Sequence, residues 1–412
     1  MVLYRYMLQS VCILGRQPAL GLAELESLYG AAAVAAVASG VAGLTLTSSA
    51  IDFARLGGST RLAVVLNEMA STDWKLIEKE LHKLVRSTAF DVPASGKFHL
   101  GLSAYGLGLS TGKMNAAALT LKKIIRARGV SVRVVPNNEA ELNTAQVFHS
   151  HLVDENGAEL LLIRTDNNHT LIACTVAVQD IDSYALRDRG RPKRDARVGM
   201  LPPKLAQIII NLAANYATKR DGPLWDPFCG TGVLLQEALL QGIRVYGTDL
   251  EPRMIEYTEQ NLEWLKQQTE KLGMFEGQVS WEYHLRTADA TTIQLSADER
   301  QTIYSVACET YLGRPFTDRP SRDVLEQTVS DVNNILKKFL TNIHGQLAPG
   351  SRLCVAMPAW FYGTSVRHLP VLDTLVNLGY ERVRFAHADT EDLIYHREGQ
   401  IVGRELVTLV RK

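Results

Sequence analysis

Three aspartates occupy positions where a charged ligand would meet them. Asp226 opens the turn Asp226-Pro-Phe-Cys-Gly-Thr-Gly232, Asp249 stands in Tyr-Gly-Thr-Asp249-Leu250, and Asp289 in Thr-Ala-Asp289-Ala290. In a doubly wound α/β sheet a ligand lies at the carboxyl ends of the strands. The first strand turns through glycines that let backbone approach the ligand, and an acidic residue about 20 positions on reaches a ribose. Asp249 follows Asp226 by 23 residues, and Asp289 comes after the next strand, in place for an adenine amino group. The turn lacks the third glycine of the pyrophosphate fingerprint. A carboxylate at its head repels a diphosphate and attracts a cation. These residues therefore point to S-adenosylmethionine, which carries a sulfonium and an ammonium group. The expected cofactor contacts are Asp226, Phe228, Gly230, Thr231, Gly232, Asp249, Leu250, Asp289 and Ala290.

Elements able to position this set follow Pro202-Pro203. Helix Lys204–Ala217, strand Pro223–Asp226, helix Gly232–Gln241, strand Arg244–Asp249, helix Arg253–Leu272 and strand Tyr283–Thr287 alternate. Then come strand Thr302–Cys308, helix Arg322–Ile343, strand Arg352–Met357, helix Leu369–Leu378, and strands near Arg382–His387 and Glu405–Val410. Such alternation predicts a mostly parallel, seven-stranded sheet covered on both faces, and the closing strand pair predicts an antiparallel edge.

Upstream, the patterns are those of two α+β units. The first holds a strand Tyr4–Leu14, a helix Pro18–Tyr29 and a periodic helix Asp73–Val85 with Leu76, Ile77, Leu81 and Leu84 on one face. The second holds strand Phe98–Ala104, a basic helix Met114–Arg128, strand Ser131–Pro136, a short helix Leu142–Ser150, and strands Glu159–Arg164 and Thr170–Val178. Lys122, Lys123, Arg126 and Arg133 gather on the basic helix and its flank, where charge alone fits a solvated face as well as a phosphate contact. Between Tyr184 and Lys204 seven basic residues, Arg187, Arg189, Arg191, Lys193, Arg194, Arg197 and Lys204, outnumber two acidic ones. That excess attracts phosphate.

The chain has 412 residues, 46% hydrophobic and 21% charged, and no formal net charge. This suits two or three globular domains and excludes a surface that is basic throughout. Five scattered cysteines lack C-x-x-C spacing, so no metal site and no disulfide framework is expected, and a reducing cytoplasm fits best. Ser27–Ile51 carries no charge, but its alanines, serines, threonines and glycines read as short strands and turns, with no membrane span.

Asp226-Pro-Phe-Cys-Gly-Thr-Gly232, the upstream Arg-Asp-x-Gly-Arg-Pro and the segment Gly-Met-Leu-Pro-Pro-Lys-Leu-Ala-Gln together resemble the THUMP-domain tRNA guanine-N2 methyltransferases, which modify guanosine at position 10 of tRNA. The resemblance extends to the N-terminal Leu-Gly-Arg-Gln-Pro-Ala-Leu-Gly-Leu-Ala-Glu-Leu and the C-terminal Tyr-His-Arg-Glu-Gly-Gln-Ile-Val-Gly-Arg-Glu-Leu. It implies a ferredoxin-like domain over residues 1–88, a THUMP domain over 89–180, a basic linker over 181–203 and a Rossmann-like class I methyltransferase domain over 204–412. It also implies tRNA as partner, and phosphate or substrate contacts at Lys122, Lys123, Arg126, Arg133, Arg187, Arg191, Arg194, Lys204 and Arg314; some relatives require a small activator protein, and the sequence leaves open whether this chain does.

Members acting on exocyclic amines carry Asp/Asn-Pro-Pro-aromatic after the fourth strand. A side-chain acceptor and a backbone carbonyl there orient the amine lone pair, and the ring stacks on the flipped base. This chain reads Cys308-Glu309-Thr310-Tyr311-Leu312-Gly313-Arg314-Pro315 instead. Glu309 takes the acceptor's place, and Tyr311 or Phe316 that of the ring. A strand-end carboxylate paired with Arg314 is the competing role for Glu309. The resemblance thus implies N2-methylation of a tRNA guanosine. The alternatives are methylation of another exocyclic amine such as adenine N6, and a tRNA-binding protein whose methyltransferase domain has lost catalysis.

Overall fold

The computed structural model describes residues 7–88, 90–93, 96–194, 200–214, 222–272, 281–303, 305–316, 318–362 and 365–412. Residues 4–6 of the first expected strand, residues 215–217 of the helix expected from Lys204, and Arg197 lie outside this set. The chain forms two compact units. One comprises Met1–Pro18, Ala32–Ala54 and Ser59–Ser183, and the other Ala19–Ala31, Arg55–Gly58 and Tyr184–Lys412.

In the first unit β1 (Ser10–Leu14), β2 (Val34–Ala38), β3 (Val41–Leu44), β4 (Ser59–Met69), β5 (Lys97–Tyr105), β6 (Ser131–Val134), β7 (Gly157–Arg164) and β8 (Thr170–Val178) make one sheet in the order β2-β3-β1-β4-β8-β7-β5-β6. The antiparallel pair β4–β8 joins the strands of residues 10–69 to those of residues 97–178. Helix α1 (Pro18–Tyr29) falls almost wholly in the second unit, whereas α2 (Trp74–Arg86), α3 (Thr111–Arg126) and α4 (Thr144–His149) belong to the first. Ile77, Leu81 and Val85 of α2 and Met114, Leu121 and Ile125 of α3 pack on Phe98, Leu100, Leu102, Leu160 and Leu162 of the sheet. Leu76, expected on the buried face of α2, is 49% exposed. The Asp73 cap, whose carboxylate accepts the Leu76 N–H, starts the helix so that the i, i+4, i+8 stripe begins at Ile77. The uncharged stretch 27–51 is divided among the end of α1, β2, β3 and short turns, and no helix among the described residues is long and apolar enough to cross a membrane.

The second unit adds α5 (Ile181–Arg189), α6 (Pro203–Ala213), β9 (Leu224–Asp226), α7 (Val233–Leu240), β10 (Val245–Asp249), α8 (Pro252–Leu272), β11 (Tyr283–Thr287), α9 (Ala297–Thr302), β12 (Ser305–Glu309), α10 (Arg322–His344), β13 (Arg352–Tyr362), β14 (Ser365–Arg367), β15 (Tyr380–Arg382), β16 (Ile394–Tyr395) and β17 (Val402–Arg411). A seven-strand path runs β11-β10-β9-β12-β13-β17-β15, with β14 paired to β13 and β16 to β17. The first five strands of that path pair in parallel, and β17 and β15 close it antiparallel. Leu325, Val329, Val332, Leu336, Phe339 and Ile343 recur three or four residues apart along α10. They meet Trp225, Val306, Leu353 and Val355 of the strands in the main core.

The strand expected near Arg382–His387 is Tyr380–Arg382, and two further expected elements differ. Thr302, expected to open a strand, ends α9, because the Ser296–Glu299 capping box nucleates a short helix there and the strand begins at Ser305. The helix expected over Leu369–Leu378 is a 3-10 turn, Pro370–Thr374. Its Val371 N–H is taken by the Asn333 side chain at 2.7 Å, and the chain turns away at Gly379, with φ of 83°.

Within the second unit Glu24 of α1 is fully buried. It accepts the N–H groups of Gly57 (2.9 Å) and Gly58 (2.8 Å) and the Asn211 amide (2.8 Å). Nothing larger than glycine fits at 57, where a Cβ would stand 2.0 Å from the Lys204 carbonyl oxygen. Glu24→Ala removes the shared acceptor of these donors, of which the Asn211 amide keeps the Arg55 carbonyl at 2.8 Å; at about 1–3 kcal/mol for a buried donor left unpaired, chemical denaturation should show a loss of at least ~1 kcal/mol. Burial pushes the Glu24 carboxyl up from 4.5 to about 7. The folded chain therefore holds this proton more tightly than the unfolded chain. That contribution is complete below about 4.5 and is lost as pH rises through about 7, so the gap between parent and variant should be wider at low pH. An unchanged midpoint would show that the clamp is dispensable.

Candidate cofactor and substrate site

Because β9, β10, β11 and β12 run parallel, the groups that follow them gather along one edge of the sheet. Asp226 ends β9, Asp249 ends β10, Asp289 follows β11, and Glu309 ends β12. The turn after β9 has φ of 53° at Gly230 and 81° at Gly232, left-handed values that glycine adopts without steric cost. Gly232 then serves as the N-cap of α7. A Cβ at Gly232 would stand 2.8 Å from the Thr258 methyl, whereas at Gly230 the nearest atom, the Phe228 carbonyl oxygen, is 3.9 Å away. The backbone of the turn is therefore open at Gly230 and packed at Gly232.

Three side chains hold the turn in shape. The Thr258 hydroxyl donates to the Gly230 carbonyl (2.8 Å), the Asn261 amide donates to the Thr231 carbonyl (2.8 Å), and Asp249 accepts the Gly230 N–H (2.9 Å). Thr258 and Asn261 are three residues apart on α8, hence on one face. Asn261 also bonds both the N–H and the carbonyl of Lys193. The basic segment is thus tied to the same helix face as the turn.

Asp226 is 1% exposed and accepts the Phe228 N–H at 3.1 Å. Burial pushes its carboxyl well above the usual range, and the Asp249 and Glu309 charges push it further. No basic side chain among the described residues pairs with it. A buried carboxylate of this kind is stabilised by a cation from outside the chain. Asp249 is also pushed up by burial, opposed by the N–H groups of Glu251 and Gly230. Asp289 accepts the Thr291 N–H (2.8 Å) and hydroxyl (2.7 Å), and Ala290 behind it is buried. Leu250 is exposed, while Phe228 packs edge-on against Phe339 at 5.1 Å.

At the end of β12 Glu309 is largely buried and bonded through Oε1 to the Nε of Arg404 on β17; Arg314 is not its partner. Arg314 instead donates to the Thr328 hydroxyl (3.3 Å) and the Val324 carbonyl (3.4 Å) of α10. Thr310 is anchored by its N–H and hydroxyl to the Ala356 carbonyl, at 3.1 and 3.2 Å. Gly313, with φ of 86°, passes so close to Thr328 that a Cβ would lie 2.7 Å from its methyl. Between these anchors Tyr311 is 43% exposed, and Phe316 is half-buried on the core.

The basic residues divide. Arg187 is buried and pairs with Glu237 at 2.7 Å, which spends on the fold a charge expected to meet phosphate. Arg191 is buried, and burial lowers its pKa. Lys204, its pKa also lowered by burial, lies over the Tyr184 ring at 4.9 Å. Arg194 is exposed. In the first unit Lys123 and Arg126 of α3 and Arg133 of β6 are exposed and Lys122 is half-buried. Thr258, Asn261, Glu237 and Arg404 escaped the sequence reading. The one available signal was the charged pair Arg404-Glu405 inside the otherwise apolar strand that continues through Leu406, Val407 and Leu409.

The strand order, with the third, second and first strands leading to the fourth and fifth and the last inserted before the sixth, combines with a Gly-rich turn after the first strand. Together they define a class I S-adenosylmethionine-dependent methyltransferase domain with a mixed sheet. Residues 191–360 match the family described as UPF0020, RMKL-like, methyltransferase domain. Over 160 residues, 39% of each protein, the chain is 31% identical to the tRNA (guanine(10)-N2)-dimethyltransferase of Methanothermobacter thermautotrophicus (strain Delta H). Over 161 residues it is 30% identical to the enzyme so named of Pyrococcus abyssi (strain GE5 / Orsay), covering 39% of this chain and 40% of that one. The match thus spans only 39–40% of these relatives' lengths. TrmN from Thermus thermophilus shares the fold with a TM-score of 0.50 at 16% identity, covering 98% of this chain and 99% of that one.

Gly232→Ala forces a left-handed alanine against Thr258. Titration calorimetry with S-adenosylmethionine should show affinity falling at least about tenfold, for a backbone strain of about 1–2 kcal/mol plus displacement of the turn. Equal affinity would mean that the cofactor does not lie on this turn.

Proposed function

We propose that the protein transfers a methyl group from S-adenosylmethionine to the N2 amine of a guanosine in tRNA, at a position equivalent to 10. The observation that carries the cofactor part is Asp226, a buried carboxylate without a basic partner among the described residues, at the head of an open Gly-rich turn. The acceptor rests on similarity to two enzymes named for guanine N2. Within this reading Asp226, Phe228, Gly230, Thr231, Gly232, Asp249, Leu250, Asp289 and Ala290 surround the cofactor, with Asp249 toward the ribose and Asp289 toward the adenine. Glu309 accepts from the target amine, and Tyr311 stacks on the base. We assign residues 1–88 to a ferredoxin-like domain and 89–180 to a THUMP domain. The exposed Lys123, Arg126 and Arg133, with Lys122, would be contacts of the second of these to tRNA phosphate, and the exposed Arg194 a contact of the linker 181–203. A cytoplasmic setting is supported by five cysteines that are all free.

Sulfonium chemistry sets modest demands on the protein. The leaving group is neutral, so most of the rate comes from holding the amine in line with the methyl carbon. A carboxylate accepting one amine N–H turns the nitrogen lone pair out of conjugation, and a stacked ring fixes the plane of the base. Mass spectrometry of nucleosides from tRNA incubated with the protein and labelled cofactor tests the reading. Label is expected in N2-methylguanosine from the chain alone. Label in N6-methyladenosine would move the target, and unlabelled tRNA that still binds would favour a binding protein. Tyr311→Ala should lower kcat/KM for tRNA roughly 10- to 100-fold, the value of one base-aromatic stack of about 1–3 kcal/mol, while cofactor affinity stays within about twofold. An equal loss of cofactor affinity would place Tyr311 elsewhere in the site.

A further inference from the structure

We propose that Arg404 is the positioning residue of the methyl-acceptor site: it binds one oxygen of the Glu309 carboxylate and so aims the other at the amine to be methylated. The inference rests on the reading of the site given above. Glu309 Oε1 is taken by Arg404 Nε, while Oε2 makes no hydrogen bond to the described residues. The two side chains keep 15% and 8% of their surface, so the pair is desolvated but not sealed. The Arg404 side chain makes no other hydrogen bond to the described residues, and the neighbouring Glu405 is taken by His368 and Arg382.

A buried ion pair is a poor device for stability, since apolar residues of the same volume do as well or better. Its location gives it another use. Glu309 is at the carboxyl end of β12, close enough to the buried Asp226 of β9 for its charge to raise the Asp226 pKa. The neighbouring Cys308 thiol is buried and pushed up, hence neutral, and β13 presents the uncharged Ala356 opposite Glu309. Arg404 is thus the one cation in contact with Glu309 among the described residues. An ionised carboxylate accepts an amine N–H through its free oxygen more strongly than a protonated carboxyl does, and a carboxyl that carries its proton on that oxygen would offer a donor instead. Burial drives Glu309 toward the protonated form, and Arg404 opposes that. The same contact removes the freedom of the carboxylate to rotate. In this chain a salt bridge from β17 therefore does what two prolines do in the Asp/Asn-Pro-Pro-aromatic motif, which fixes its acceptor through backbone geometry.

The test is the pH dependence of single-turnover methyl transfer to tRNA by the full-length protein, with saturating cofactor. In the parent the rate should be flat through neutrality. Arg404→Met should lower it roughly 10- to 100-fold at about pH 7 and move the acid limb up by about one unit or more, the usual effect of deleting a contacting opposite charge. Affinities for cofactor and tRNA should stay within a few-fold. Arg404→Lys, which retains the charge and serves as the folding control, should return the limb toward that of the parent, and Glu309→Gln should abolish the limb. A uniform loss at every pH, or no loss in Arg404→Met, would overturn the positioning role and leave the proposed activity standing. A parent protein that puts no methyl on guanosine N2 would instead overturn the activity, and this inference with it.

Discussion

Crowding of negative charge at one edge of a parallel sheet is the condition that the second unit is built around. Three carboxylates, Asp226, Asp249 and Glu309, end strands there, burial raises the cost of ionising each, and the charges of Asp249 and Glu309 raise it further for Asp226. The fold answers each differently. Backbone N–H groups of Gly230 and Glu251 hold Asp249, a guanidinium from the antiparallel edge holds Glu309, and among the described residues Asp226 has only the N–H two residues on. The least compensated of the three heads the glycine turn. In the proposed reading a positive ligand completes this site, and the deficit in the protein becomes part of the binding energy of the cofactor.

Positive charge is distributed by the same logic. In the segment between Tyr184 and Lys204, Arg187 neutralises Glu237 in the interior, and Lys193 is fixed through its backbone to Asn261 beside the turn. A stretch that looks like a phosphate-binding linker from its charge is therefore partly a brace for the glycine turn. Its side chains that remain exposed, Arg194 among them, are fewer than the excess of basic residues suggests.

The alternation of strands and helices was legible after Pro203 because β9, β10 and β12 are short, largely apolar and end on a carboxylate. Asp226, Asp249 and Asp289 could be placed for the same reason. What could not be read depended on partners distant in sequence. Glu309 and Arg404 are 95 residues apart and meet only because β17 inserts next to β13. No local periodicity carries that information, and the nearer Arg314 offered a false partner. The helix expected at Leu369 failed for a related reason. Its apolar residues do recur, but Asn333 and Gly379 impose a tighter turn than periodicity registers. Leu76 was misplaced because the cap, and not the apolar pattern alone, decides where a helical face begins.

The motif Glu309-Thr310-Tyr311-Leu312-Gly313 can be weighed against the prolines it lacks. Prolines fix an acceptor by restricting the backbone before any contact forms. Here the restriction comes from contacts: Thr310 is bonded twice to the Ala356 carbonyl, and Gly313 is pressed against Thr328 in a conformation other residues resist. Rigidity of this kind is conditional on the neighbours β13 and α10, so the loop is as well defined as the core beneath it. That core is the larger apolar cluster, in which α10 packs Val329, Val332 and Leu336 against the sheet directly behind the loop. Loss of the prolines therefore does not by itself argue for loss of catalysis. It transfers the burden of alignment from local backbone stiffness to tertiary packing and to one ion pair, and so makes the acceptor site sensitive to substitutions far from it in sequence.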